Sequence, residues 1–211
     1  MSVEIVCAGT SWGGLFALRT LLHGFGDDFP LPVVLVQHRH RDSNALLVDL
    51  LQECTALPVS EAEDKEPVTG GRVFVAPPNY HLLVDDGHFA LNTDPPLRFS
   101  RPSIDVTLDA VAESYGRRAA GLILTGANDD GAEGLRRLAD LGGTAVVQDP
   151  AESEMPTMPL AALRRVPDAV RLPLERIPGY FRTILKLAPL PGDQRPPAAS
   201  RRVREPNPEA R

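Results

Sequence analysis

The chain has 211 residues, of which 43% are hydrophobic and 24% charged, with a formal net charge of −6 at pH 7. This composition is typical of a soluble globular protein with one sizeable domain, and no apolar stretch reaches the roughly 20 residues that a membrane-spanning helix needs. The negative charge argues against general nucleic-acid binding, which depends on a basic surface. We see no signal peptide, and Cys7 and Cys54 do not have the C-x-x-C spacing of a metal or redox site. We therefore expect a cytoplasmic protein with free, buried thiols.

The first part of the chain alternates strand and helix patterns. Two apolar runs of strand length, at residues 3–8 and 31–37, are each followed by a stretch with helical period, at 14–22 and 45–54. Such alternation predicts a parallel sheet with helices on both faces, joined by right-handed crossovers.

The middle of the chain interrupts this alternation. Residues 71–91 contain short alternating runs, with prolines between them and a turn signal at Asp86-Gly87. We interpret this region as an antiparallel hairpin added to the parallel sheet.

Strand and helix patterns alternate again in the last part of the chain. The predicted helices cover residues 103–116, 131–141, 159–164 and 174–187, and the predicted strands cover 119–126 and 143–149. We therefore predict one α/β domain over residues 1–188, with a doubly wound, mostly parallel sheet. Residues 189–211 hold six prolines and five arginines without periodicity, and we expect them to form a disordered tail.

Three loops that follow predicted parallel strands carry reactive side chains. Ser11 follows the first strand, His38 follows the second, and Asp129 and Asp130 follow the strand at 119–126. Such loops all lie at the carboxyl edge of the sheet, where open α/β folds bind their ligands. A serine, a histidine and a carboxylate brought together there have the composition of a Ser-His-Asp triad for acyl transfer. The residues alone do not choose between the two aspartates.

Each of these residues also has a purely structural interpretation. Ser11 can cap the helix that begins near Gly13, because serine is a favoured N-cap residue. His38 can be a strand-end histidine bonded to the backbone. Asp129 and Asp130 precede a helix, whose dipole favours acidic residues at its start. The catalytic interpretation depends on all three loops meeting at one edge.

Other chemistries fit these residues less well. The run Gly9-Thr10-Ser11-Trp12-Gly13 matches the G-x-S-x-G pattern, but the α/β-hydrolase fold has several strands before that serine and its histidine last. A dinucleotide fingerprint would need glycine at position 11, and a P-loop would need Gly-Lys-Ser/Thr. The glycine-rich turn could still bind an anion, and His38 with His40 and the aspartates could bind a metal, although H-x-H spacing is a weak signal.

Several stretches carry the motifs of one known family in the same order. They are AGTSWGG at 8–14, VVLVQH at 33–38, EAEDKEPVTGGRVFVAPPNYHLLV at 61–84, RPSIDVTLDAVAESYGRRAAGLILTGANDDGAEGL at 101–135, and GGTAVVQDP at 142–150 with MP at 158–159. With these motifs the chain resembles the catalytic domain of the CheB family of chemotaxis receptor methylesterases, from about residue 3 to residue 181.

The resemblance implies roles for individual residues. The family's catalytic serine, histidine and aspartate fall on Ser11, His38 and Asp130. The backbone N–H of Trp12, beside the serine at a helix start, is a physical candidate for an oxyanion donor. The family's second donor falls on Ala127, whose backbone N–H is retained although the side chain differs.

The resemblance also implies a reaction and partners. Members hydrolyse glutamate methyl esters on the helical cytoplasmic domains of chemoreceptors through an acyl-enzyme, with release of methanol, and many also deamidate glutamines. We therefore expect a methylated chemoreceptor-like partner and a CheR-type methyltransferase in the same pathway. We expect no cofactor, metal, nucleic acid or membrane insertion.

The chain departs from the family pattern at two places. After His38, the usual apolar residue and proline are replaced at positions 39–41, and the methionine and glycine of the aspartate loop are Ala127 and Asn128. These changes motivate an alternative function, a signalling module of the same fold that binds a receptor or methyltransferase without catalysis. Because the chain starts at the first strand of the resemblance, we also expect a stand-alone domain without a receiver domain.

Overall fold

The computed structural model describes residues 3–40 and 46–190. Within these ranges nine strands and six α-helices follow one another. The strands are β1 (Ile5–Thr10), β2 (Val33–Gln37), β3 (Val59–Glu61), β4 (Val73–Val75), β5 (His81–Asp85), β6 (His88–Asn92), β7 (Ala119–Ile123), β8 (Thr144–Gln148) and β9 (Val170–Leu172). The helices are α1 (Gly14–Phe25), α2 (Leu46–Gln52), α3 (Ile104–Tyr115), α4 (Ala132–Asp140), α5 (Thr157–Arg165) and α6 (Ile177–Ile184).

Seven of the strands form one sheet, in which every neighbouring pair is parallel. Their order is β3-β4-β2-β1-β7-β8-β9. From β1 the chain adds β2, β3 and β4 on one side, and β7, β8 and β9 then extend the other side. Such a switch between β1 and β7 opens a crevice at the carboxyl ends of the strands. The predicted doubly wound, mostly parallel fold is confirmed.

The core consists of two layers of apolar side chains, one on each face of the sheet. Val6 and Ala8 of β1 belong to the layer that includes α1 and α6, whereas Ile5 and Cys7 belong to the layer that includes α3 and α4. This division follows from the alternation of side chains along a strand. Both cysteines are free, as predicted, although Cys54 is only half buried. Burial raises the pKa of the Cys7 thiol to about 12, so this thiol is an apolar core group.

The structure differs from the predicted elements in the middle of the chain and at the sheet edges. The hairpin around Asp86-Gly87 is confirmed as β5 and β6, but Val73–Val75 of the same predicted region is a parallel strand of the main sheet. The edge strands β3 and β9 are absent from the predicted elements, because three residues are too few to show a period. In place of the single helix predicted at 174–187, the structure has a short 3₁₀ helix, Leu174–Arg176, followed directly by α6.

The tail predicted at 189–211 lies outside the described residues, except for its first two positions. In the part of the chain that is described, none of the helices combines the length and the apolar character needed to cross a membrane.

Gly131 precedes α4 and packs against the residues that support the loop after β7. Its φ is +92°, and an added Cβ would lie 2.6 Å from Cγ2 of Ile104 and 2.6 Å from Cδ1 of Ile123. Alanine is strained in this backbone conformation, and buried isoleucines have little room to move. We expect Gly131→Ala to lower the free energy of unfolding by about 3 kcal/mol, measured by urea denaturation.

The matched variant is Gly87→Ala. Gly87 also has a positive φ, +74°, but an added Cβ would meet no atom within 4 Å. This variant should therefore cost only the backbone strain, about 1 kcal/mol. Equal losses of stability in the two variants would contradict the packing argument for Gly131.

Candidate active site

Ser11 lies directly after β1, in the turn that leads into α1. Its N–H donates to the carbonyl of Thr125 (3.0 Å), and its carbonyl accepts bonds from Gly14 N–H (3.0 Å) and Gln37 Nε2 (2.9 Å). The capping interpretation is wrong, because the N-cap residue of α1 is Gly13, with φ 76°, and no side chain caps the helix. Three hydrogen bonds thus hold the backbone of Ser11, while its hydroxyl makes no hydrogen bond to any described residue.

His38 directly follows β2, and its side chain is 12% exposed. Its backbone N–H donates to the carbonyl of Thr10 (3.1 Å), which keeps the start of this loop beside β1. The ring nitrogen Nε2 lies 2.7 Å from Oδ2 of Asp130. The ring is therefore bonded to a carboxylate, not to the backbone as in its structural interpretation.

Asp130 is fully buried, and its carboxylate lies at the N-terminus of α3. Oδ1 accepts bonds from Ser103 Oγ (2.9 Å) and Asp105 N–H (3.0 Å), and Oδ2 accepts one from Ile104 N–H (2.8 Å). Burial opposes ionisation, but the hydrogen bonds from His38 and from the N–H groups of Asp105 and Ile104 outweigh it and lower the pKa of Asp130. Asp130 is therefore a fixed anion beneath the imidazole.

The other aspartate of this loop, Asp129, has a different environment. Its side chain is 61% exposed and lies 3.1 Å from Nη1 of Arg98. The helix-dipole interpretation of the two aspartates is also wrong for Asp130, because Gly131 is the N-cap of α4 and the Asp130 carboxylate binds the start of α3. The structure thus separates two residues that the strand-and-loop pattern leaves equivalent, and the one that contacts His38 is Asp130, the aspartate that the resemblance implies.

A second buried carboxylate, Asp105, lies behind Asp130. It accepts a bond from Gly134 N–H (2.8 Å), and Nη1 of Arg98 is 3.8 Å away. Burial, reinforced by the negative charge of Asp130, raises the pKa of Asp105 to about 6. The pKa values of the two neighbouring carboxyl groups are therefore shifted in opposite directions: Asp130 is kept ionised, and Asp105 is easier to protonate.

Three residues of the site are absent from the predicted site residues. Ser103 donates to Asp130, and its N–H is held by Nδ1 of His81 (3.2 Å). Asn128 lies beside the other nitrogen of the imidazole, with its Nδ2 3.4 Å from Nδ1 of His38. The motif at 101–105 contains Ser103 without indicating its partner, and no spacing signal marks His81 or Asn128, because their contacts exist only in the folded chain.

A cleft of about 610 Å³ opens beside Ser11 and His38. Its polar side includes Arg39 and Glu154, and Glu154 accepts a bond from the indole N–H of Trp12 (2.9 Å). The apolar side is formed by α1 and α2, with Leu15, Phe16, Leu46, Leu47 and Leu50. Phe16 of this apolar side is 71% exposed to solvent, and Trp12, which is bonded to Glu154, is 64% exposed.

A second cleft of about 480 Å³ shares His38 and Arg39 with the first. It also includes His40, Asn79 and Arg101. The guanidinium of Arg39 donates to Glu61 (2.5 Å) and to the carbonyl of Ala76 (3.1 Å), so it is held against the sheet. Position 41, the last of the altered positions after His38, lies outside the described residues.

The backbone N–H groups of Trp12 and Ala127 donate to no group of the described residues. Trp12 follows Ser11 in the turn before α1, and Ala127 belongs to the loop that carries Asp130. Neither N–H group is therefore engaged by the described part of the chain. Within the described ranges, no group of three or more His, Cys, Asp or Glu is arranged to hold a metal ion.

These features define the class of protein: a doubly wound parallel sheet with a serine and a bonded His–Asp pair in the loops at its carboxyl edge. The family profile described as CheB methylesterase matches residues 6–181, and the chain belongs to this family. The resemblance carried by the sequence motifs is confirmed.

Two relatives and one solved structure show how much of the chain is shared. A putative protein-glutamate methylesterase/protein-glutamine glutaminase of Leptospira interrogans is 41% identical over 182 residues, which are 86% of this chain and 94% of the relative. Protein-glutamate methylesterase/protein-glutamine glutaminase 2 of Anaeromyxobacter dehalogenans is 39% identical over 87% of this chain and 54% of its own length. The crystal structure of the Thermotoga maritima CheB methylesterase catalytic domain has a TM-score of 0.81 and 32% identity, covering 89% of this chain and 100% of that domain. These names agree with the enzyme class that the motifs predict.

Proposed function

We propose that this protein is a protein-glutamate methylesterase in which Ser11, His38 and Asp130 are the catalytic residues. The observation that carries the proposal is the 2.7 Å bond between His38 and Asp130, in a cleft that also contains Ser11, whose hydroxyl makes no hydrogen bond to the described residues. Family membership supports the same reaction class.

The hydrogen bonds around His38 assign its tautomer. Asp130 is an ionised acceptor, so Nε2 of His38 carries the proton that points to it, and the lone pair is on Nδ1. Nδ1 is therefore the nitrogen that takes the proton of Ser11. Asp130 orients the ring and stabilises the imidazolium that forms, without taking the proton itself.

The reaction then follows the order of an acyl transfer. Ser11 Oγ forms a bond to the ester carbonyl carbon while its proton passes to His38 Nδ1. The N–H groups of Trp12 and Ala127 stabilise the negative oxygen that results. When the intermediate collapses, the bond to the methoxy group breaks, and methanol leaves with the proton from His38. Water hydrolyses the acyl-enzyme in the same manner, which releases glutamate and restores Ser11.

The cleft beside Ser11 suits the uncharged ester better than the charged product. Its wall from α1 and α2 is apolar, and an apolar wall accepts a methyl ester at lower desolvation cost than a carboxylate. Exposed Phe16 in this cleft and exposed Trp12, bonded to Glu154 of the cleft, provide surface for a helical protein segment that presents the ester. The partner we propose is the methylated cytoplasmic region of a chemoreceptor-like protein, with a CheR-type methyltransferase as the source of the ester.

Glutamine deamidation is a second candidate activity of the same site, because both relatives described above carry it in their names. The same acyl-enzyme forms from a glutamine side chain when ammonia leaves in place of methanol. No additional residue is needed for this reaction.

The test is to incubate the full chain with methylated receptor fragments and to follow the mass at individual glutamates together with the methanol released. Each susceptible ester is expected to lose the mass of one CH₂ group, and one methanol should appear for each loss. Binding of the fragments without any change of mass would instead support the alternative of a non-catalytic interaction module.

A further inference from the structure

Asn128 contacts the side of the His38 ring that faces away from Asp130. Its Nδ2 lies 3.4 Å from Nδ1 of His38, and its Oδ1 accepts a bond from the N–H of Asp130 (3.3 Å). A backbone N–H can be accepted only by the amide oxygen, so this second bond sets the orientation of the amide. Asn128 therefore presents an N–H group to His38 Nδ1.

This contact distinguishes the neutral from the protonated ring. In the neutral ring Nδ1 has a lone pair and accepts the bond from Asn128. In the protonated ring both nitrogens carry hydrogen, so the Nδ1–H would face another donor. The Ser11 hydroxyl makes no hydrogen bond to the described residues, so in the free protein the partner of the lone pair is the Asn128 amide.

We propose that Asn128 is a positioning residue for His38: its amide holds Nδ1 of the neutral ring in the free protein and is displaced when Ser11 transfers its proton. The inference rests on the proposed function, because it assigns His38 the role of base. Asn128 is one of the two positions in the aspartate loop that depart from the family motif, so the contact belongs to this chain's own residues. A glycine at this position would have no side-chain amide to donate to Nδ1 of His38.

Other charged and titratable groups surround the site on several elements, and the Asn128 variants leave all of them in the chain. Among the described residues, Asp130 bonds the ring, and the clefts beside it are lined by Arg39, His40, Arg101 and Glu154. Asp105 lies behind Asp130, and Arg98 pairs with both Asp105 and Asp129. An effect that follows Asn128 alone can therefore be assigned to its contact with Nδ1.

The probe is an alkyl fluorophosphonate, which measures the reactivity of Ser11 without a receptor. Its phosphorus forms a bond to Ser11 Oγ, fluoride leaves, and the serine proton passes to His38. The second-order rate constant of labelling is measured by mass spectrometry on the full chain from about pH 5 to about pH 9, and it falls on the acid side as the base becomes protonated.

Asn128→Asp is expected to move the midpoint of this acid limb to higher pH by about one unit, because a carboxylate accepts a bond from Nδ1–H and favours the protonated ring. Asn128→Ala removes only the donor, and a shift of about half a unit in the same direction is expected. The matched control is Asn79→Asp, which makes the same change in the second cleft. Asn79 accepts a bond from Nη2 of Arg101 (2.6 Å) and makes no hydrogen bond to the ring among the described residues, so Asn79→Asp should shift the midpoint by much less than Asn128→Asp does.

A lower rate at every pH with an unmoved midpoint, in both Asn128 variants, would show that Asn128 only shapes the loop and would overturn the inference. An equal shift in Asn79→Asp would overturn it too, because the effect would then be one of net charge. Wild-type protein that is not labelled on Ser11, or is labelled without an acid limb, would overturn the proposed function itself. The two failures are therefore distinguishable.

Discussion

Ser11→Ala is expected to abolish labelling by the fluorophosphonate and to lower the rate of methyl-ester hydrolysis by about 10⁴-fold or more, because the nucleophile is removed. The side chain of Ser11 makes no hydrogen bond to the described residues. Its removal should therefore change the free energy of unfolding by only about 0.5 kcal/mol, measured by urea denaturation. A large loss of activity with unchanged stability is the signature expected of a nucleophile.

The control for this substitution is Ser114→Ala. Ser114 lies on α3, and its Oγ donates to the carbonyl of Val84 (2.7 Å), outside both clefts at His38. The chemical change is the same, and we expect labelling and hydrolysis at the wild-type rate, with a loss of about 1 kcal/mol in stability. Hydrolysis by Ser11→Ala at the rate of this control would exclude Ser11 as the nucleophile.

Asp130→Asn is expected to lower the labelling rate by about 10³- to 10⁴-fold, through the tautomer of His38. Both carboxylate oxygens of Asp130 accept bonds from donors, so an amide must present its NH₂ group to one set of them. If the NH₂ faces His38, the ring must carry its proton on Nδ1, where it no longer accepts the serine proton. Fluorophosphonate labelling at pH 7.5 or so, with mass detection, measures the loss.

The same substitution should lower stability and change its dependence on pH. In the other orientation the NH₂ group faces Ser103 and the buried N–H of Asp105, and an unsatisfied buried donor costs about 1–3 kcal/mol. The pKa of Asp130 is lowered in the folded protein, so its ionised form contributes stability that is present above the unfolded-state pKa of about 3.9 and lost as pH falls through the folded-state value. Urea denaturation of wild type below about pH 4 should show this loss, and Asp130→Asn should lack this component.

Asp129→Asn is the matched control, one residue earlier in the same loop. The Asp129 side chain is mostly exposed and pairs with Arg98, and such surface pairs contribute about 0–1 kcal/mol. We expect near wild-type labelling and stability. If Asp129→Asn lost activity as strongly as Asp130→Asn, Asp130 would not be the residue that orients His38.

Part of the site could be predicted from residue patterns alone. Ser11 and His38 could be placed at one edge of the sheet, because each directly follows a short apolar strand pattern. The cap interpretation of Ser11 was wrong, since helix α1 begins after Gly13 in a left-handed conformation that serine spacing does not reveal. Their catalytic roles stay predictions, and the variants above test them.

The fold also has parts that can be predicted locally and parts that depend on long-range pairing. Buried strands of five or six residues, such as β1 and β2, carry enough apolar residues to be recognised locally. The three-residue strands β3 and β9 depend on pairing with β4 and β8, so their strand character comes from the neighbour. Val73–Val75 has a strand pattern, but its place in the parallel sheet between β2 and β3 is a long-range choice.

The sequence by itself determined the strand–helix order, the hairpin turn at Asp86-Gly87, the family, and the three loops that carry Ser11, His38 and the aspartate pair. These are properties of local periodicity and of motifs read in order. The strand-and-loop pattern leaves the two aspartates equivalent and the family resemblance implies Asp130, but only the tertiary structure shows that Asp130, not Asp129, contacts His38. That choice depends on the N-terminus of α3, some 25 residues earlier in the chain, whose N–H groups hold the carboxylate in a buried position. Hydrogen bonds between residues so far apart form only when the chain is folded, and the contact between Asn128 and His38 belongs to the same kind.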